Sequence, residues 1–313
     1  MAESTANATA FSAASLRGDP GRLRKESAIR AIFFAAAALS VVIMALIVLT
    51  LARETYTFVS QVELAQLWSD GWFPRRALYD IRTIVAGSVL VTAIAMLVAT
   101  PLGMGAAVYL SEYARPRVRR VLKPVLEILA SIPSVVLGFF ALTWISPEIV
   151  QRLSNEAALF SLAAAGIGVG ILTTPLVASI AEDAMRSVPD ALREASYGMG
   201  ARKVTTSVRV VIPAAVSGLV AAFIVGVSRA IGETMVVAIA AGASGGSLFS
   251  LDVFDRGQTM TAAMASLATG TDAVVGAGLT FQSLFFVGSL LFILTLLLNL
   301  FADRFVRRVR QKY

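Results

Sequence analysis

The chain has 313 residues, of which 57% are hydrophobic and only 15% charged, and its mean hydropathy is +0.77. A soluble domain of this size carries far more charge, so most side chains meet lipid or neighbouring helices and the class is integral membrane. Cysteine and histidine are both absent, which excludes disulfides, thiolate metal sites and the usual general base; no metal site and no hydrolytic centre are expected.

The first twenty or so residues are small and polar, and residues 1–29 read as a disordered tail. Basic residues then lead into an apolar run of about twenty residues without a cleavage site, which reads as a retained span rather than a signal peptide. Six segments reach the roughly 20 apolar residues that a helical crossing needs, at about 31–52, 83–110, 125–145, 158–180, 214–242 and 278–302. Backbone polar groups in lipid must be satisfied within the segment, so all six are expected as helices and the fold as all-α. Residues 30–302 form one transmembrane domain, with a loop at about 181–213 and a basic tail at 303–313.

The net charge of +7 is first a topology signal rather than a sign of nucleic-acid binding, which is not expected. Lys and Arg in successive tails and connections number five, four, five, one, five, one and five. This alternation, broken only at the first connection, predicts both termini and the Glu194–Pro213 stretch in the cytoplasm of a multi-pass protein of the bacterial plasma membrane. One of the 27 basic residues is left over, Arg229, inside the fifth span.

The polar interruption between spans four and five is the most informative stretch. Asp190 after Pro189 is a plausible N-cap for a short helix over Ala191–Tyr197, Gly198 and Gly200 permit a tight stop, and Pro213 can begin span five. Glu194-Ala195-Ser196, three residues, Gly200, nine residues and Val210-x-Ile212-Pro213 resembles the EAA loop of permeases from binding-protein-dependent ABC importers. Ser196 replaces the family's second Ala, while the spacing is kept. Across about residues 80–302, the strings YLSEYA (109–114), IPSVVLGF (132–139), TTPLVASIAEDAMRSVP (173–189) and SRAIGETMVV (228–237) resemble the phosphate-specific permeases, C subunit.

The resemblance implies a six-helix, MetI-like type I importer permease. It implies that Glu194, Ala195, Ser196, Gly200 and Pro213 belong to a coupling segment docking an ATP-hydrolysing subunit. The implied partners are a homologous second permease, two ATP-binding subunits, an extracytoplasmic phosphate-binding protein, inorganic phosphate and membrane lipid. The chain has no G-x-x-x-x-G-K-[ST], so it is not itself expected to bind ATP, or to need any cofactor.

Arg229 lies about 24 Å along a straight helix from Pro213, where an arginine costs about 2.5–3.5 kcal/mol. Glu233, four residues on, is expected to pair with it on one helix face. A guanidinium fork suits a tetrahedral oxyanion, so Arg229 and Glu233 are candidate substrate-pathway residues, with Ser134 a third if Ile132-Pro133-Ser134 unwinds span three. A structural ion pair is the plainer reading. Another oxyanion (sulfate or molybdate), an ion-gradient-driven carrier or channel, and a phosphate sensor are the alternatives.

Two further features point to packing. Pro101 to Gly105 and the Gly166, Gly168, Gly170 series suggest close helix approach. Glu112 is expected to partner nearby arginines. The stretches 53–80 and 243–276, with Trp68, Trp72, Phe73 and the run Leu248 to Ala268, read as lying on the membrane interface or docking a periplasmic or surface-tethered binding protein, and the tryptophans as interfacial anchors.

Overall fold

The computed structural model describes residues 20–242, 245–270 and 278–309. The tail residues 1–19 and 310–313, and 243–244 and 271–276 of the second interfacial stretch, lie outside the described residues. Helix α1 runs Pro20–Gln61, so residues 20–29 are helical rather than part of a tail. A short hairpin follows, β1 (Trp72–Phe73) and β2 (Leu78–Tyr79), then α2 (Ile81–Val108), α3 (Pro116–Ala130) and α4 (Ser134–Leu153). The second half of the chain holds α5 (Leu162–Arg186), α6 (Asp190–Gly198), α7 (Lys203–Ala214), α8 (Val216–Ile231), α9 (Met235–Ala240), α10 (Met260–Ala268) and α11 (Thr280–Val309).

Five of the described helices are long and apolar enough to cross a membrane, or six if α7 and α8, bent by 72°, form one span. Residues up to Arg53 form one body and the rest another. In the first, Phe33, Phe34, Val41, Met44 and Leu49 are all exposed, which suits a helix meant for lipid on all sides.

In the second body the core is built on α2 and α5, which pack through small residues. A Cβ on Gly166 would meet Ile94 at 2.7 Å, and one on Gly170 would meet the Ala95 carbonyl at 2.8 Å, so these glycines set the approach of the two backbones. Gly168, on another face of α5, does the same toward Ala141 and Val236. The close approach expected of this glycine series is therefore present. Around Pro101, Gly103 packs on Val177, whereas Gly105 faces open space.

Two expected spans differ in form. The third is broken: α3 ends at Ala130, Pro133 holds the chain extended (ψ 131°), and α4 then runs to Leu153 rather than 145. The fifth does not run unbroken from 214 to 242. It bends near Ala215, stops at Ile231 and resumes as the short α9. Pro213 therefore sits near the end of α7, ten residues after that helix begins, rather than at the start of a span.

We call the end where α2 and α5 begin the distal face and the end carrying α6 the basic face. At the distal face, Trp72 is only 1% exposed and packs with Phe58, Tyr79, Ile84 and Met260, so it is a core residue and not an interfacial anchor. Trp68 remains exposed. The run 248–268 also departs from an interfacial layer: Gln258 to Ala263 are buried, the Met260 amide donates to Ser88 Oγ (2.9 Å), and a Cβ on Gly87 would strike the Gln258 carbonyl. The lack of a side chain at Gly87 lets this segment enter the bundle beside α2, although Gln258 and Met260 are among its buried residues.

Candidate functional site

Two regions bring the sequence-derived candidates together. The first is α6 and its surroundings. Pro189 precedes the helix with φ −57°, and Asp190 is its first residue rather than a capping one; its carboxylate pairs with Arg193 (3.2 Å) instead of bonding a backbone amide. Gly200, at φ +80°, lets the chain reverse after the helix, with the Gly200 amide donating to Tyr197 O (2.9 Å) and the Ala201 amide to Ser196 O (3.1 Å). Ser196, the departure from the loop pattern, is buried and its hydroxyl bonds Thr206 Oγ1 at 2.8 Å, closing α6 onto α7. An alanine would leave Thr206 without that bond.

Glu194 and Ala195 are exposed, and so is an apolar set that the sequence pattern did not single out: Tyr197, Met199 (85% exposed), Val204 and Val208. Their signal was available, as apolar residues within a polar loop.

Arg193 braces this helix. Its guanidinium donates to Val188 O (2.6 Å) and Met185 O (2.9 Å) at the end of α5, and pairs with Glu112 (3.1 Å) just past α2. Glu112, 4% exposed, thus has the arginine partner expected of it. A second brace ties α3 to α5: Arg119 (2.6 Å) and Lys123 (3.3 Å) meet the fully buried Glu182, and Lys123 also meets Asp183 (2.9 Å). The hydrogen bond to Asp183 holds the Lys123 ammonium above the usual lysine value.

The second region is the break between α8 and α9. A Cβ on Gly226 would touch Val177 and Met96, each fifteen residues into its helix and so about 22 Å from the distal face. Arg229, three residues further, lies about 18 Å from that face, near the middle of a hydrocarbon layer about 30 Å thick.

The expected pairing of Arg229 with Glu233 is absent. It requires a continuous helix through 233, and α8 stops at Ile231. Arg229 is exposed on the last turn and no carboxylate lies within ion-pair distance of it among the described residues. Glu233 is 8% exposed, and its carbonyl accepts from Thr261 Oγ1 at 2.7 Å. Thr261 had no local signal, since the contact spans 28 residues. Ser134 opens α4 after the Pro133 break, as the unwinding reading anticipates. One turn later, a Cβ on Gly138 would lie 3.2 Å from the Met235 carbonyl, so both interrupted elements abut.

Comparison with known proteins gives consistent findings. A family model described as binding-protein-dependent transport system inner membrane component matches residues 99–311. The chain is 30% identical over 293 residues, 88% of either chain, to the phosphate transport system permease protein PstC of Mesorhizobium japonicum. It is 39% identical over 186 residues, 59% of either chain, to the probable ABC transporter permease protein YqgH of Bacillus subtilis. Among solved structures, the inward-facing MetNI methionine ABC transporter matches with TM-score 0.53 and 22% identity, covering 74% of this chain and 94% of that one. That likeness shows a MetI-like fold.

Proposed function

The chain belongs to the family of binding-protein-dependent transport system inner membrane components, and from that premise we propose that it is the transmembrane permease subunit of an ATP-driven phosphate import complex. The basic face is cytoplasmic, and the distribution of Lys and Arg assigns both termini to the cytoplasm as well. The chain forms half of a pathway completed by a homologous second permease, docks one of two ATP-binding subunits, and receives phosphate from an extracytoplasmic binding protein. ATP binds to those partner subunits, and this chain carries no catalytic group.

The observation that carries the reading is α6: a short helix with an uncovered apolar set, held to the ends of α2 and α5 through one partly buried guanidinium. A partner pressing on Tyr197, Met199 and Val204 moves a braced element, so its displacement reaches two spans without loss in a flexible loop. Glu194, Ala195, Ser196, Gly200 and Pro213 shape that segment. Phosphate as cargo is supported by the Mesorhizobium relative and by Arg229, whose guanidinium offers forked donors at mid-depth with no competing carboxylate among the described residues. Glu233 and Ser134 flank the same interrupted region as pathway residues. Another oxyanion remains the second reading, because a guanidinium alone does not separate phosphate from sulfate.

The test is uptake of radioactive phosphate by the reconstituted complex with and without ATP. Uptake that needs ATP and is abolished in Arg229→Ala supports the proposal. ATP-dependent uptake of sulfate or molybdate but not phosphate overturns the cargo. Uptake that follows an ion gradient without ATP overturns the importer.

A further inference from the structure

A cavity of about 560 Å³ lies at the basic face, between the end of α2, one side of α3 and the end of α5. Its wall carries four cations, Arg119, Arg120, Lys123 and Arg186, one carboxylate, Glu127, and an apolar part that includes Leu110. Two of the cations are already engaged, since Arg119 and Lys123 are held by Glu182 and Asp183. Arg120 and Arg186 have no carboxylate within ion-pair distance among the described residues.

Depth restricts what can occupy this cavity. Helix α5 has 25 residues and rises about 37 Å from Leu162 to Arg186, more than a hydrocarbon layer of about 30 Å. Its last turn therefore reaches the headgroup layer, and the ion pairs of Arg119 and Lys123 hold α3 at the same level. The side of α3 away from the cavity carries Val121, Val125 and Ile128, all exposed. Apolar side chains uncovered on one side and cations on the other suit a helix at the boundary between acyl chains and headgroups.

Guanidinium pairs match phosphate oxygens in charge and geometry. Glu127 in the same wall disfavours a doubly charged free anion, whereas a phosphodiester carries one charge. The mixed apolar and basic lining suits a group that has an apolar continuation. We propose that this cavity binds the phosphodiester headgroup of an anionic phospholipid from the leaflet at the basic face, with Arg120 and Arg186 as its principal contacts. Such a lipid joins α2, α3 and α5, the elements to which the ion pairs of Arg193 and Glu182 also attach, and so stiffens the frame that carries α6.

The full chain is placed in nanodiscs of phosphatidylcholine alone or mixed with phosphatidylglycerol, and lipid retention is read by native mass spectrometry together with the melting temperature. The wild type is expected to keep one phosphatidylglycerol and to melt higher in the mixed discs. Arg120→Gln/Arg186→Gln is expected to lose the retained lipid and the shift, while Arg120→Lys/Arg186→Lys, which keeps the charge, retains part of both and keeps the test valid if the glutamine pair folds poorly. A wild type indifferent to phosphatidylglycerol, or a glutamine pair that responds as fully as the wild type, overturns the proposal. So does equal stabilisation by inorganic phosphate in phosphatidylcholine discs, which would make the cavity a free-anion site. None of these readouts depends on transport.

Discussion

Replacing Arg193 by alanine tests whether α6 is mechanically joined to the spans. The substitution deletes the pair with Glu112 at 3.1 Å and the donations to Met185 O at 2.9 Å and Val188 O at 2.6 Å. Its contact with Asp190 counts for little, because that carboxylate is 87% exposed. The large cost is Glu112, left buried with only the Ser111 hydroxyl as a donor. Breaking one side of a buried pair costs about 3–5 kcal/mol, and loss of two charge-assisted bonds to helix-end carbonyls that water can partly replace adds about 1 kcal/mol. We expect about 4–6 kcal/mol for Arg193→Ala, but only about 2 kcal/mol for Arg193→Ala/Glu112→Ala, since the double variant leaves no buried charge; the coupling is then about 2–4 kcal/mol plus whatever Glu112→Ala costs alone. Equilibrium unfolding of the purified chain in mixed micelles measures both. ATP hydrolysis by the assembled complex, expected to become independent of the binding protein in the single variant, reports the mechanical link. A single variant costing under about 1 kcal/mol, or a double variant equal to the sum of the singles, refutes the brace.

Other perturbations separate close packing from partner docking. Gly87→Ala is expected to cost several kcal/mol in the same unfolding measurement, since its methyl collides with the Gln258 backbone, whereas Gly105→Ala, in open space, should be neutral or stabilise by up to about 1 kcal/mol. Gly200→Ala should cost about 1 kcal/mol through its left-handed backbone alone, since nothing lies within 4 Å of the added methyl. Gly200→Trp should cost the isolated chain little more, yet should abolish co-purification of the ATP-binding subunit; unchanged co-purification counts against docking at this turn. Lys123 binds its proton more tightly when folded than its ordinary value of 10.5 allows, so its stabilisation is complete below about that pH and is lost as pH rises through the raised value. Melting curves in that alkaline range should fall more steeply for wild type than for Asp183→Asn; Tyr79, whose phenol burial pushes up, titrates equally in both.

The spans and the loop were legible because hydropathy and spacing are local properties. Glu194 to Pro213 declares itself by composition, and its helix and stop follow from Pro189 and Gly200. The break after Ile231 was not legible: Arg229 and Glu233 are four apart, the spacing that a continuous helix rewards, and nothing local announces the chain's turn at Gly232. Trp72 misled for a related reason. Tryptophan suits a membrane interface and a packed hairpin equally, and only the partners Phe58 and Met260, remote in sequence, decide between them. The entry of 258–268 into the bundle depends on Gly87, about 170 residues earlier, so neither half of that contact predicts the other.

The distal face is one end of a lever. Its hairpin bonds Ser247 through the Trp72 amide and carbonyl, and Arg82 lies between the rings of Trp68 and Phe249. From Ser247 the chain continues to Gln258, wedged against Gly87, and then to Thr261, whose hydroxyl holds the carbonyl of Glu233. A load set on the distal face therefore reaches, within about fifteen residues of chain, the break between α8 and α9. The distal face and the interruption of the fifth span are two ends of one short arm.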